Sequence, residues 1–218
     1  MKINFKRFLL SSAFSILIPL MAHAQVDITT TVMSRYNWRG TDFGSSPSIQ
    51  PTFSYTKGGL TIGAWGAYAT NGNPAGTEID LYASYALGDF TLMVTDYTFP
   101  DAAAGAFLDA DGQYVELGVS YASEDLPVTA FLGAFVLNDD DNSIYGELGY
   151  ALGDVGLFLG FTPTETAMYG TSKAGIVNTG LSYSKPLVIS ESLTVSLSSK
   201  FIVNPYAKNG FLLFGFSL

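Results

Sequence analysis

The chain has 218 residues with 19 acidic and 10 basic side chains, a formal net charge of −9, 48% hydrophobic residues, only 13% charged residues and a mean hydropathy of +0.27. An acidic balance argues against a nucleic-acid partner, and so few charges set the chain apart from an ordinary soluble domain, where about a quarter of residues are charged. Cysteine is absent and the one histidine is His23, in a segment read below as removed, so zinc sites of the Cys/His kind and Ser–His or Cys–His nucleophilic chemistry are excluded.

Lys2, Lys6 and Arg7 precede an apolar run over residues 8–21, and Ala22-His23-Ala24 follows. A basic start, a short apolar core and an A-x-A site predict a secretory leader over residues 1–24, cleaved near Ala24. The run is shorter than the roughly 20 residues of a spanning helix and is broken by Ser11, Ser12, Ser15 and Pro19. Residues 25–218 are then a single domain, more acidic than the whole chain.

From residue 26 the sequence alternates with the dyad period of half-buried strands. The first strand is predicted over 26–38, with Arg35 on its polar face, followed by a Gly/Ser/Pro loop over 39–47. Ile49, Pro51, Phe53 and Tyr55 mark a second strand, and Lys57-Gly58-Gly59 a tight turn. A third strand covers 60–70, and a loop 71–76. The fourth places Ile79, Leu81, Ala83 and Tyr85 against Glu78, Asp80, Tyr82 and Ser84, and Gly88-Asp89 turns the chain. The fifth, 90–99, has ambiguous parity because Asp96 shares a face with Leu92 and Val94. A long loop spans 100–112. The sixth strand sets Val115, Leu117 and Val119 against Tyr114, Glu116 and Ser120. After a turn at 123–127, the seventh, 128–137, is apolar on both faces. An acidic loop covers 138–142. The eighth strand opposes Ile144, Leu148 and Tyr150 to Tyr145 and Glu147, and Gly153-Asp154 turns. Strand nine covers 156–162, a loop 163–172, strand ten 173–184 and a turn 185–191. Strand eleven carries Lys200 on its polar face. A loop at 204–209 leads to residues 210–218, where Leu212, Phe214, Phe216 and Leu218 form one fully apolar face.

Short connections alternate with longer ones rich in Gly, Asn, Asp and Pro. An even number of strands, no long apolar helix and a bare apolar last strand predict an all-β fold: a transmembrane antiparallel up-and-down β-barrel of about 12 strands. Leu212, Phe214, Phe216 and Leu218 form its closing strand, the segment read by the barrel-assembly machinery of a Gram-negative outer membrane. The lumen-side parity sets out a pore lining of Arg35, Glu78, Asp80, Tyr82, Tyr114, Glu116, Tyr145, Glu147 and Lys200. Arg35 and Lys200 flank the last strand and the acids lie opposite, which predicts a transverse field and a modest cation preference. Twelve strands about 4.8 Å apart at a tilt near 40° give a backbone radius of roughly 12 Å, which leaves a narrow lumen unless loops fold in.

Arg39-Gly40, Ser46-Pro47, Gln50, Tyr55, Gly63-Ala64-Trp65, Glu78-Ile79-Asp80-Leu81-Tyr82 and Asp96-Tyr97 resemble the TorF family of outer-membrane porins, most specifically over residues 32–100. Trp38 stands where that family usually has Phe, and Leu218 where it usually ends on Phe. The resemblance implies a barrel and a porin role, without naming a solute. The expected function is a narrow, weakly cation-preferring pore for small solutes or ions, embedded in outer-membrane lipid. The alternative is a closed or plugged barrel whose acidic outer loops act in surface interaction. No cofactor and no enzymatic activity are expected, since only carboxylate or tyrosine chemistry is left and no spacing singles out a pair.

Overall fold

The structure is a computed structural model that describes residues 25–100, 107, 109–191 and 193–218. The expected leader, residues 1–24, lies outside the described residues, as do 101–106 and 108 of the long loop.

Among the described residues there are fourteen strands: β1 (Gln25–Met33), β2 (Tyr36–Trp38), β3 (Thr41–Phe43), β4 (Ser48–Lys57), β5 (Leu60–Ala69), β6 (Glu78–Leu87), β7 (Phe90–Thr98), β8 (Gln113–Ala122), β9 (Val128–Leu137), β10 (Ile144–Leu152), β11 (Val155–Thr162), β12 (Gly175–Ser190), β13 (Leu193–Asn204) and β14 (Asn209–Ser217). Twelve of them, β1 and β4 to β14, form one closed antiparallel barrel, and β2 and β3 form a separate two-stranded sheet. Each barrel strand pairs with its neighbour in sequence. Closure comes from β1 against β14, with Thr31 opposite Ser217, Val32 opposite Phe216 and Met33 opposite Gly215. This is the up-and-down barrel that the alternation predicts.

The two faces differ as the sequence period requires. Ile28 on β1 is 71% exposed, Leu148 on β10 54% and Phe214 on β14 57%; each of the twelve strands turns a large apolar side chain outward. A continuous apolar jacket of this kind is stable in lipid and not in water. Many inward positions in the half nearest the termini are small or polar, with Thr29, Thr52, Ser54, Thr61, Ser84, Ser120, Thr129, Ser182 and Ser198 half-buried there, while Met33, Ile202 and Leu213 pack with Phe158 and Phe211 as an apolar patch of the inner wall. The parity of β7 and β9 is now settled. Thr91, Met93, Thr95 and Tyr97 point inward and Asp96 outward, while Thr129, Phe131, Gly133 and Phe135 point inward.

Connections are mostly shorter at one end than at the other, the exception being 123–127, which is one residue longer than 205–208. Tight turns at Gly58-Gly59, Gly88-Asp89 and Gly153-Asp154 lie at one end with Gln25 and Leu218. The segments 34–47, 70–77, 138–143, 163–174 and 205–208, and the described residues between β7 and β8, lie at the other.

Two sequence expectations are corrected. The first strand stops at Met33, not residue 38. At Ser34 the backbone donates its last bond to the β14 ladder, Ser34 N to Phe214 O at 2.7 Å, and the chain then turns into the barrel. Its alternation persists through Trp38 because residues 36–38 are again a strand, but of the second sheet. Strand ten runs through Pro186 to Ser190, not to residue 184. The β11 ladder ends at Val155–Tyr183, whereas β13 stays paired with β12 to Ser190. Ser184 N still donates to Asp154 O, but from Lys185 on the β11 ladder no longer lines that edge of β12, and an edge position tolerates proline.

Candidate functional site: a hairpin across the lumen

The β2–β3 hairpin turns on Arg39 and Gly40, both with positive φ, 49° and 83°. Two such residues between antiparallel strands make the primed turn whose twist matches the hairpin's own. Gly40 is required twice. Its conformation disfavours a side chain, and a Cβ there would run into the Val177 carbonyl of β12. The turn is thus pressed against the barrel wall.

The other hairpin residues reach the remaining walls. Tyr36 is 5% exposed; its hydroxyl donates to Glu78 Oε2 of β6 at 2.7 Å and its ring lies 5.3 Å from that of Trp65 on β5. Trp38 meets Tyr97 and Phe135 edge-on at 5.8 and 6.4 Å, and stacks on Tyr169 at 5.8 Å. The Gly40 carbonyl accepts from Asn204 Nδ2 of β13.

Arg39 is the centre of this packing. Its Nη1 and Nη2 donate to Glu116 Oε1 and Oε2 at 2.7 and 2.9 Å, a two-pronged pair, and Nη1 also donates to the Tyr169 hydroxyl at 2.6 Å. The guanidinium carbon sits 4.4 Å from the Trp38 ring centre and 4.3 Å from that of Tyr145. Only 9% of the Arg39 side chain and 2% of the Glu116 side chain is exposed. Glu116 accepts a further bond from Tyr97 at 2.8 Å. Its carboxylate lies over Gly133 of β9, where a Cβ would collide with it. Burial holds the Tyr169 hydroxyl up at about 12 despite the opposing pull of Arg39, so it stays neutral beside the cation. Fork geometry, adjacent rings and three hydrogen bonds help a buried guanidinium offset its lost hydration.

The positions set out from sequence distribute as follows. Glu78, Asp80, Glu116, Tyr145 and Lys200 are buried on the inner wall, and Tyr82, Tyr114 and Glu147 are half-buried there. Glu147 accepts from Tyr145 and from Asn178 Nδ2. Arg35 does not belong with them. It lies beyond the end of β1, its side chain is 43% exposed, and it bonds Asp42 of β3 at 2.6 Å. The basic residue facing the acids from the β1 side is Arg39, which the strand reading placed in a loop. The signal was present: Tyr36-Asn37-Trp38 and Thr41-Asp42-Phe43 alternate on either side of Arg39-Gly40, the sequence form of a two-residue hairpin. Leu212, Phe214, Phe216 and Leu218 all project from the outer face of β14, and Leu213 between them is buried in the lumen.

No family model matches the chain, and no curated protein matches it. Among solved structures, a triple mutant of Rhodopseudomonas blastica porin is similar at 15% identity and a TM-score of 0.39, over 78% of this chain and 55% of that one. A second engineered variant of the same porin is similar at 14% identity and a TM-score of 0.41, with the same coverage. This chain spans about half the length of those porins. The barrel assignment rests on this chain's own closed strand ladder.

Proposed function

We propose that the protein is an outer-membrane pore for small solutes, porin-like and of the TorF type, whose conduction is limited by the hairpin of its first outer loop. Residues 1–24 act as the export leader, and β14 is the strand handled by the barrel-assembly machinery. The observation that carries the reading is a charged, hydrogen-bonded contact between stopper and wall inside an apolar jacket. A stopper meant to stay would be held at least as well by apolar packing, since a buried ion pair seldom outperforms it. Below the hairpin many half-buried hydroxyls line the lumen beside an apolar patch at Met33, Phe158 and Leu213, a lining that supports a wet vestibule. The acids on the inner wall outnumber the bases, which favours cations.

The test is single-channel recording in planar bilayers. The intact protein gives small, infrequent openings. A variant with residues 35–46 replaced by a short Gly-Ser linker gives a larger and steadier conductance, because only the roughly 12 Å radius of the backbone cylinder and its side chains then limits flow. A folded, inserted variant that carries no current supports the closed barrel with interacting outer loops instead.

A further inference from the structure

The seam that closes the barrel is short. β1 and β14 pair at Thr31–Ser217, Val32–Phe216 and Met33–Gly215, flanked by backbone bonds of Thr30 with Leu218 and of Ser34 with Phe214. On its other side β14 follows β13 for nine positions, out to Asn204–Asn209. Among the described residues no strand pairs with the β1-side edge of β14 from Asn209 to Leu213, about 17 Å of strand. Leu212 in this stretch is 60% exposed on the outer face, so the edge lies at the level of lipid. Bare hydrocarbon does not tolerate a strand edge, which persists in a bilayer only where it borders protein or a wet opening.

Two apolar surfaces meet at that edge. Outside, Val32, Met33, Ser34, Pro47, Phe214 and Phe216 line a groove of about 340 Å³. Inside, Met33, Ile202 and Leu213 pack with Phe158 and Phe211. Met33 belongs to both, so one flexible thioether stands between groove and lumen. Gly215 faces it across the seam, and a Cβ there would collide with the Met33 sulfur. Lys200 lies directly opposite Leu213 in the β13–β14 ladder and is 6% exposed. The ion pairs among the described residues are Arg35 with Asp42 and Arg39 with Glu116, so Lys200 has none there. Glu147, the carboxylate that acts on Lys200, already accepts from Tyr145 and Asn178. A desolvated ammonium with no direct partner is a site for an anion.

We infer that the β1–β14 seam is a side entrance from the bilayer, and that it takes a long-chain carboxylate from the surrounding lipid. The acyl chain crosses from the groove, past Met33, onto the patch at Leu213 and Phe211. The carboxylate meets Lys200 on the inner wall. One apolar strip beside one cation matches a single chain with a single anionic head. A phospholipid, with a second chain and a bulky head, stays in the outer groove.

The test measures binding and no current, so its outcome is separate from whether the barrel conducts. The folded barrel is placed in phosphatidylcholine nanodiscs with a palmitate analogue that carries a mid-chain diazirine. Illumination should label Phe211 or Leu213 saturably, and unmodified palmitate should compete. Lys200→Met should weaken that binding about tenfold, the loss of one charge-assisted hydrogen bond, and Lys200→Arg should retain it. The methyl ester of the analogue should bind wild type and Lys200→Met alike. A phosphatidylcholine with the same diazirine should label Val32, Phe214 or Phe216 and spare Phe211 and Leu213. Should Lys200→Met not fold, acid against ester in the wild type gives the same contrast, with the acid about tenfold tighter. No labelling of Phe211 or Leu213 by the palmitate analogue overturns the inference. Equal labelling of those two by the phospholipid overturns it as well, as does an acid that binds no tighter than its ester or is indifferent to Lys200→Met.

Discussion

Arg39 and Glu116 illustrate how removing one partner differs from replacing both. Truncation by Arg39→Ala strands the Glu116 carboxylate in a dry site, at a cost of about 3–5 kcal/mol. That cost exceeds what the remaining ring contacts of an eight-residue hairpin supply, so the hairpin should leave the wall while the barrel stays closed. Arg39→Lys should not rescue it, since a single ammonium cannot fork onto both oxygens. The double variant Arg39→Met/Glu116→Gln removes both charges and should redock. The chain has two tryptophans, Trp38 and Trp65, so in a Trp65→Phe background the emission of Trp38 reports docking alone. A red shift in Arg39→Ala and Arg39→Lys, recovered in the double variant, is the expected pattern. An unshifted Arg39→Ala would mean that Trp38 and its aromatic neighbours hold the hairpin without the ion pair.

At the scale of elements, most of the barrel was legible because the dyad period reports burial on one face. β6, β8, β10 and β13 were placed correctly with their inward residues for that reason. The same period could not say which sheet a strand joins. Residues 36–38 alternate as β1 does, and the three-dimensional event that separates them is the bend at Ser34-Arg35, which has no periodic signature. Nor could it place the end of β12, because a strand with one free edge tolerates Pro186. β14 offers a direct test of the outward face. Phe214 lies mid-strand and Leu218 at the end, both exposed. Phe214→Arg should cost about 2–4 kcal/mol of folding in lipid vesicles and Leu218→Arg about 0–1 kcal/mol, because the penalty falls towards the interface. Urea midpoints of the two variants in vesicles check this. Equal midpoints would mean that β14 does not cross the bilayer as drawn.

Across the whole molecule, the alternation of short and long connections sets an orientation, with both described ends beside the tight turns. Epitope tags at Asp140 should therefore be reached on intact cells, and tags at Gly88 or Gly153 should be hidden. Labelling of the second pair would invert the barrel.

The lumen's field follows from the same wall, but its sign depends on how the charges are paired, which strand parity alone could not supply. Parity set Arg35 and Lys200 against four acids. The structure instead pairs Arg39 with Glu116 and sets the Tyr36 hydroxyl, which brings no charge, on Glu78. Neutralising these acids then combines two different effects of the same sign. Glu78→Gln/Asp80→Asn removes carboxyl groups that no basic side chain pairs with and should lower cation preference. Glu116→Gln frees the Arg39 cation and should lower it as well, by adding an anion-attracting group. Arg39→Ala frees Glu116 and should raise it. Screening decides whether any of this is visible: at about 0.1 M salt the Debye length is near 10 Å, comparable with the lumen radius. Reversal potentials should accordingly be taken in asymmetric salt well below that concentration, where the differences are largest, and should converge as salt rises. The shortened-hairpin barrel, which loses Arg39 and keeps all four acids, should be the most cation-preferring of the set. A wild-type pore that prefers anions, and keeps that preference in the Arg39→Ala variant, would show that Lys200 and not the acidic wall controls the narrowest point.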